Sequence, residues 1–434
     1  MKTEIISRIC IKPSSPTPPH LKTYKLCLLD QISTAIHGNM TFFFPAADLI
    51  ADYSTKSLLL QQSISETLTR FYPLAGRFLD AATIDCNDDG VYFIEAVADG
   101  PLSEFLSQPN VEELDQLLPT TDPQTMEISN SALWLVKFTL YSCGGTAVSI
   151  SLTHKIVDIA TLLTLLKSWT AACRRDAEPC LPDLSAATIL PPRDIPGLSG
   201  SVSLGAEEFV SRRFVFEAAE IANLKEKVVS LTGQDHHPSR VQVVLALIWK
   251  CAVAAEKSKT GSFKPTALFQ AVNLRTRMDP PMPENSIGNF IWPFAVIIEE
   301  ETDLELHIIV TKIREAMTGF LNDKANKFRG DEAFSTIMAA LKERGEIFKT
   351  RPGLRAYVCS SWCKFPLFDT DFGWGKPVWM TSVNKLVSNT VVLKDTSSGG
   401  VDVLLTLNEE EMEILEKDPE LLKYASVNPP IIVE

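Results

Sequence analysis

The stretch TAVSISLTHKIVDIATLLTLLKSWTAACR, residues 146–174, changes its hydrophobic period half-way along. Thr146–Thr153 is apolar and rich in β-formers, which reads as a buried strand. From Asp158 the pattern turns helical: Ile159, Leu162, Leu163, Leu166, Trp169 and Ala172 share one broad face. Residues 153–158 are therefore a strand-to-helix junction, a common place for reactive side chains on a rigid support. His154 and Asp158 lie in it. Imidazole titrates close to neutral pH, which suits a general base. Asp158 has three physical readings: a cap on the following helix, a carboxylate that orients His154, or the partner of a distant arginine. An HxxxD spacing alone does not choose between these and a purely structural histidine.

Outward from this junction, strands and helices alternate irregularly, which favours α/β layers over a bundle or a sandwich. Strands are predicted at Glu4–Ile11, Val91–Val97 and Leu133–Tyr141, and a helix over Ser57–Phe71 that stops at Tyr72-Pro73-Leu74-Ala75-Gly76-Arg77. Residues 175–204 carry Pro179, Pro182, Pro191, Pro192, Pro196 and two glycines with little periodicity, which reads as a linker between two halves. The second half opens with a strand at Phe209–Phe216. Helices follow at Ala218–Leu231, Ser239–Lys257, Leu304–Lys327 and Glu332–Lys349. Strands are predicted at Thr266–Val272, Ala356–Ser360, Asn389–Lys394 and Val401–Leu407, and a last helix has Asn408 as its N-cap.

A chain of 434 residues exceeds one ordinary core; a prior of about 150 residues per domain gives roughly two or three. Lys+Arg of 41 against Asp+Glu of 54 leaves a net −13, which argues against a generic nucleic-acid binder or charge-held membrane attachment. One local basic site for an anionic ligand remains compatible with it. Nine cysteines without a CxxC point to free thiols in a reducing compartment. No apolar run approaches the ~18 residues of a membrane span, and the opening residues lack the apolar core of a secretory signal. The expectation is a soluble cytoplasmic protein. GxxxxGK[ST], GxGxxG and HExxH are all absent, so no nucleotide or metal motif presents itself.

One further constellation stands out: Asp371-Phe372-Gly373-Trp374-Gly375. Two glycines flanking a large aromatic suggest special backbone angles, with Phe372 and Trp374 as packing anchors. The pair HKIVD and DFGWG resembles the BAHD family of plant acyl-CoA-dependent acyltransferases. The resemblance runs the whole length: IKPSSPTP at 11–18, LLDQ at 28–31, YPLAGR at 72–77, and NLRTRM at 273–278 followed by PPMP and Gly288-Asn289. The opening and the NLRTRM block look most like the branch containing vinorine synthase and other alkaloid or terpenoid O-acetyltransferases.

The resemblance implies two similar-sized α/β domains of the chloramphenicol acetyltransferase kind, over 1–175 and 209–434, with a crossover loop over 176–208 and an active-site channel between them. It implies His154 as general base, and Asp158 turned away from the reacting atoms to pair with Arg277, or failing that Arg275. Ser360 and Trp362 become candidate oxyanion donors, DFGWG a channel-shaping loop, and Lys250, Lys257, Lys259 and Lys264 candidates for the CoA phosphates. No bound cofactor or metal is implied. Acyl-CoA is a co-substrate, with acetyl-CoA the expected donor and malonyl-, benzoyl- or hydroxycinnamoyl-CoA the alternatives. The partner is a small-molecule alcohol, and the chain is expected to act as a monomer by direct transfer in a ternary complex. A protein that binds such metabolites without catalysis is the rival reading. One departure is Ile159, where the family often has Gly after the Asp; Gly would permit backbone angles and a close approach that Ile does not easily allow, which leaves the shape of the pocket beside His154 open.

Overall fold

The computed structural model describes residues 1–34, 36–46, 53–110, 113–119, 132–176, 178–195, 209–232, 237–330, 332–382 and 387–432. Residues 196–208 of the expected crossover loop thus lie outside the described residues.

Two mixed sheets organise the chain. The first runs in the order Thr3–Ile11, Val91–Ala98, Trp134–Leu140, Thr146–Thr153, His37–Phe44 and Trp379–Thr381. The second runs Ile291–Ile298, Thr266–Asn273, Arg355–Ser361, Thr390–Asp395, Val401–Asn408, Phe209–Phe216 and Ser426–Val427. Each is covered by helices and has its own core. In the first half, Tyr53–Arg70 and Ile159–Arg174 press Leu60, Ile64, Leu165 and Trp169 onto Phe42, Phe44, Ile150 and Leu152 of the sheet. In the second half, the helix Arg240–Thr260, buried continuously from Val243 to Trp249, forms the centre, begun by a Ser239–Gln242 capping box and ended by Gly261 at φ 79°.

The strand Thr146–Thr153 lies between Trp134–Leu140 and His37–Phe44, antiparallel to both, and every residue of it is buried. That double burial explains its apolar sequence. Gly76, within the YPLAGR turn, has a purely steric role: a Cβ there would come within 2.3 Å of the Asp85 carbonyl oxygen.

The second half also reaches into the first. Asp371 Oδ1 accepts the backbone N–H groups of Gly373 (2.7 Å) and Gly375 (3.0 Å), and both glycines have φ near +100°, at 104° and 102°. This tight loop delivers Phe372 and Trp374 into the first half's core. Phe372 meets Trp169 edge-on at 4.6 Å, and Trp374 meets Phe44 at 6.2 Å. Arg174, at the end of the helix that follows His154, donates to the Asp371 carbonyl oxygen. Trp379–Thr381 then pairs with the edge of His37–Phe44. No helix among the described residues is long and apolar enough to cross a membrane. The nine cysteines are all free.

Candidate active site

The strand ends where Thr153 N–H donates to Leu133 O (3.0 Å) and His154 N–H to Ile36 O (2.6 Å). The chain turns, and Asp158 begins the helix Ile159–Arg174 as its N-cap, Oδ1 accepting Thr161 N–H at 2.8 Å. Ile159 is the first helical residue, so the backbone freedom a glycine offers is not used there.

Asp158 is also one half of a buried ion pair. Arg275 Nη1 donates to Oδ2 at 2.7 Å and Nη2 to Oδ1 at 3.0 Å, with the two side chains only 1% and 2% exposed. The fork-on-fork geometry suits guanidinium and carboxylate. The remaining guanidinium donors reach Ser286 O, Gly288 O and Thr161 Oγ1 at 2.9–3.1 Å. The expected partner, Arg277, is not the partner. Arg277 N–H and Met278 N–H both donate to Leu274 O, a helical turn in which side chains two apart leave on different sides. Arg275 points inward, while the Arg277 guanidinium donates to Asn273 O at 2.7 Å.

Asp158 Oδ2 accepts a further donor, Phe290 N–H, at 3.0 Å. One residue earlier, Asn289 N–H donates to Asp30 Oδ1 at 2.7 Å, and Asp30 Oδ2 takes Cys27 N–H at 3.0 Å. Burial pushes the Asp30 carboxyl up from 3.8 to about 6, against the pull of these N–H groups. Two buried carboxylates from the first half therefore pin consecutive backbone amides of the second. Val157 and Gly288 form a parallel bridge beside them, and Gly288 adopts φ 138°.

The side chain of Asn289, so held, grips His154. Its Nδ2 donates to the His154 backbone oxygen at 2.6 Å, and its Oδ1 lies 3.1 Å from His154 Nδ1. A carbonyl oxygen only accepts, so the amide nitrogen must face it. The amide oxygen then faces Nδ1, which must carry the proton. In the neutral ring Nε2 then keeps its lone pair and is the proton acceptor. Asp158 does not contact the imidazole in the hydrogen-bond network; of its three readings, the cap and the arginine pair are both realised. Lys155 does not add a cation here: its ammonium is buried against Gln31 O at 3.0 Å, and burial lowers its pKa.

Trp362 Nε1–H donates to Ser360 Oγ at 3.1 Å, which leaves the Ser360 hydroxyl proton available to another acceptor. Trp362 is partly buried against the first half's core although it follows a second-half strand, so it lies at the junction. The four lysines do not form a bare cationic patch. Lys250 pairs with Glu420 (2.7 Å), Lys257 with Glu301, Lys259 with Glu410 (2.9 Å) and Lys264 with Glu256 (3.8 Å). Among the described residues no cluster of His, Cys, Asp and Glu could hold a metal ion.

A family model described as the Transferase family matches residues 1–422. The chain belongs to that family, the BAHD acyltransferases. It is an acyl-CoA-dependent acyltransferase. Limonoid 7-O-acetyltransferase of Citrus sinensis is 40% identical over 458 residues, covering 99% of each chain. The 17,18-epoxy-17-hydroxycur-19-ene N-malonyltransferase of Strychnos nux-vomica is 35% identical, covering 98% of this chain and 90% of its own. The crystal structure of vinorine synthase matches with a TM-score of 0.86 at 34% identity, covering 98% of this chain and 99% of that one. The BAHD pattern carried His154 and Asp158 in the sequence, but it assigned no role to Asn289. Nothing in residue spacing ties that amide to a histidine 135 residues away.

Removing one partner of the buried pair strands the other charge, at about 3–5 kcal/mol. Asp158→Asn should therefore lower the melting temperature sharply, and adding Arg275→Met should restore part of it; a single variant as stable as wild type would show that the pair carries no weight. Asn289→Ala should lower kcat by roughly tenfold or more, on the scale of weakening a positioned base. Asn289→Asp should keep more turnover but move the acid limb of the rate profile to higher pH, because a carboxylate facing Nδ1 favours the imidazolium. Unchanged kcat and an unmoved pH profile in both variants would detach Asn289 from His154.

Proposed function

We propose that this BAHD enzyme is an O-acetyltransferase that moves the acetyl group of acetyl-CoA to a hydroxyl of a plant alkaloid or terpenoid, with His154 as general base. The observation that carries the base is the Asn289 clamp, which makes Nε2 the acceptor of the neutral ring on a histidine held at a strand-to-helix junction. The acetyl donor and the polycyclic acceptor class are supported by limonoid 7-O-acetyltransferase, similar along its whole length. A malonyl donor is the second reading, favoured by the 35% identical N-malonyltransferase.

In this mechanism His154 Nε2 takes the acceptor's hydroxyl proton as that oxygen attacks the thioester carbon. The resulting tetrahedral oxyanion needs a positioned donor. The Ser360 hydroxyl, polarised by Trp362 Nε1–H, fills that role. The intermediate collapses, the carbon–sulfur bond breaks, and the imidazolium returns the proton to the CoA thiolate. A thioester is electrophilic enough that no acyl-enzyme is required, and one base serves both proton transfers if both substrates meet at His154 together. Three of the cysteines are poor nucleophiles: burial raises Cys173 and Cys363 to about 11, and Cys359 further. The four lysines have no part in this account, because carboxylates already match their charges.

His154→Ala should fold normally and lose at least ~10²-fold in kcat; near-normal turnover at saturating substrates would remove His154 from the mechanism. Initial rates at several fixed acetyl-CoA concentrations should give intersecting double-reciprocal lines, and mass spectrometry of enzyme with acetyl-CoA alone should show no stoichiometric adduct. Parallel lines with a chemically competent acyl-enzyme would replace direct transfer by a relay. The same assay run with acetyl-, malonyl- and benzoyl-CoA decides the donor.

A further inference from the structure

Gly38 lies near the start of the strand His37–Phe44, opposite Leu152 on the strand that leads into His154. Alternate residues of a strand share a face. Gly38 thus belongs with Met40, Phe42 and Phe44, which are buried in the first half's core together with Ile150 and Leu152. Gly38 alone in that row is exposed. Among the described residues, a Cβ built on it would have a single heavy atom within 4 Å beyond its chain neighbours, His154 Cδ2, at 4.0 Å.

Glycine weakens a strand interior, so it calls for a reason. Backbone strain is not the reason, because Gly38 is not among the residues at positive φ. Crowding is not the reason either. At Gly76, Gly90 and Gly400 a Cβ would meet a carbonyl oxygen at 2.3 Å, whereas at Gly38 it meets an ordinary van der Waals contact. What glycine preserves here is exposed space, free of other described residues, against the edge of the imidazole. Its neighbours on the sheet are apolar: Met40 two residues along the strand and Leu152 directly opposite.

We propose that Gly38 is a specificity-determining residue, which keeps open the bay in which the body of a bulky, apolar, polycyclic alcohol lies while its hydroxyl meets His154 Nε2. This inference rests on the acyltransfer reading above and adds the position that sets acceptor size. A side chain at 38 fills the bay without touching the base's hydrogen bonds, which come from Asn289 on the other side of the junction.

The test uses wild type, Gly38→Ala, Gly38→Val and Gly38→Leu, with cyclohexanol, decahydro-2-naphthol and testosterone as acceptors at saturating acetyl-CoA. Melting temperatures and the KM for acetyl-CoA are measured alongside. The expected result is a graded loss of kcat/KM for the tetracyclic alcohol, tenfold or more in the Val and Leu variants and mostly through KM, with cyclohexanol changed less than threefold and acetyl-CoA KM unmoved. Gly38→Ala adds one methyl at ordinary contact distance, so it keeps the series readable if the larger variants fold poorly. A ratio of tetracyclic to cyclohexanol turnover that does not move across the series overturns the proposal. So does an equal loss on all three acceptors in a folded variant, which would mean that the substituent disturbs His154 itself. A wild type that acetylates none of the three, or a His154→Ala variant that acetylates them normally, counts against the acyltransfer reading first and is distinguishable from a size ratio that fails to respond.

Discussion

The active site depends on one buried ion pair, Asp158 with Arg275, which joins the two halves of the chain at the point where the chemistry is placed. A buried pair is a poor source of net stability, because desolvating both charges offsets most of their attraction. Its value here lies in direction. The carboxylate simultaneously caps the helix behind His154 and accepts Phe290 N–H, and the guanidinium ties down the carbonyls of Ser286 and Gly288. Every bond at this node is to an element whose displacement would move either His154 or Asn289. Asp30 adds the second anchor by accepting Asn289 N–H. The amide that selects the imidazole tautomer is therefore fixed by charges that never approach the substrate.

A second, apolar tie acts on the same two halves. Phe372 and Trp374 enter the first core between Phe44 and Trp169, and Trp379 stacks on Phe43 at 5.1 Å. Burial of such rings supplies non-directional attraction, roughly proportional to the area removed from water. The DFGWG loop and the ion pair thus divide the work: aromatics hold the halves together, and the network of carboxylates sets their register to within hydrogen-bond tolerance. His154 lies between these ties, attached to the first half by its backbone and to the second through Asn289.

Much of this architecture was legible in the sequence. The strand Thr146–Thr153 and the helix that follows announced themselves by a change of period, and Asp158 by its place at the change. Besides several short strands, two long ones were not legible, for different reasons. Ile291–Ile298 contains Pro293, which argues against a central strand; it is an edge strand, where a missing N–H costs least. His37–Phe44 carries Gly38 and Asn39 directly after its first residue, and these read as turn residues rather than strand formers. The choice of Arg277 over Arg275 failed on a local turn that no periodicity reveals. The lysines failed as a cationic patch because their carboxylate partners come from segments remote in sequence, such as Glu420 and Glu301. Asn289 was invisible as a functional residue because its role exists only once two halves have docked.

The departure at Ile159 can now be given a physical place. A glycine there would offer backbone angles that the helix does not use, since the residue is the first of a regular helix capped by Asp158. The isoleucine side chain is instead partly buried against the first half's core. On the sheet side the opposite choice has been made, with Gly38 contributing no side chain at all. On the proposed reading, the space beside His154 is open from the strand, and an acceptor would bring its bulk over Gly38 as its hydroxyl meets Nε2. Acceptor size would then be set by that volume, and the orientation of the imidazole by Asn289. The His154–Asn289 clamp can stay constant while the bay beside it is resized one residue at a time.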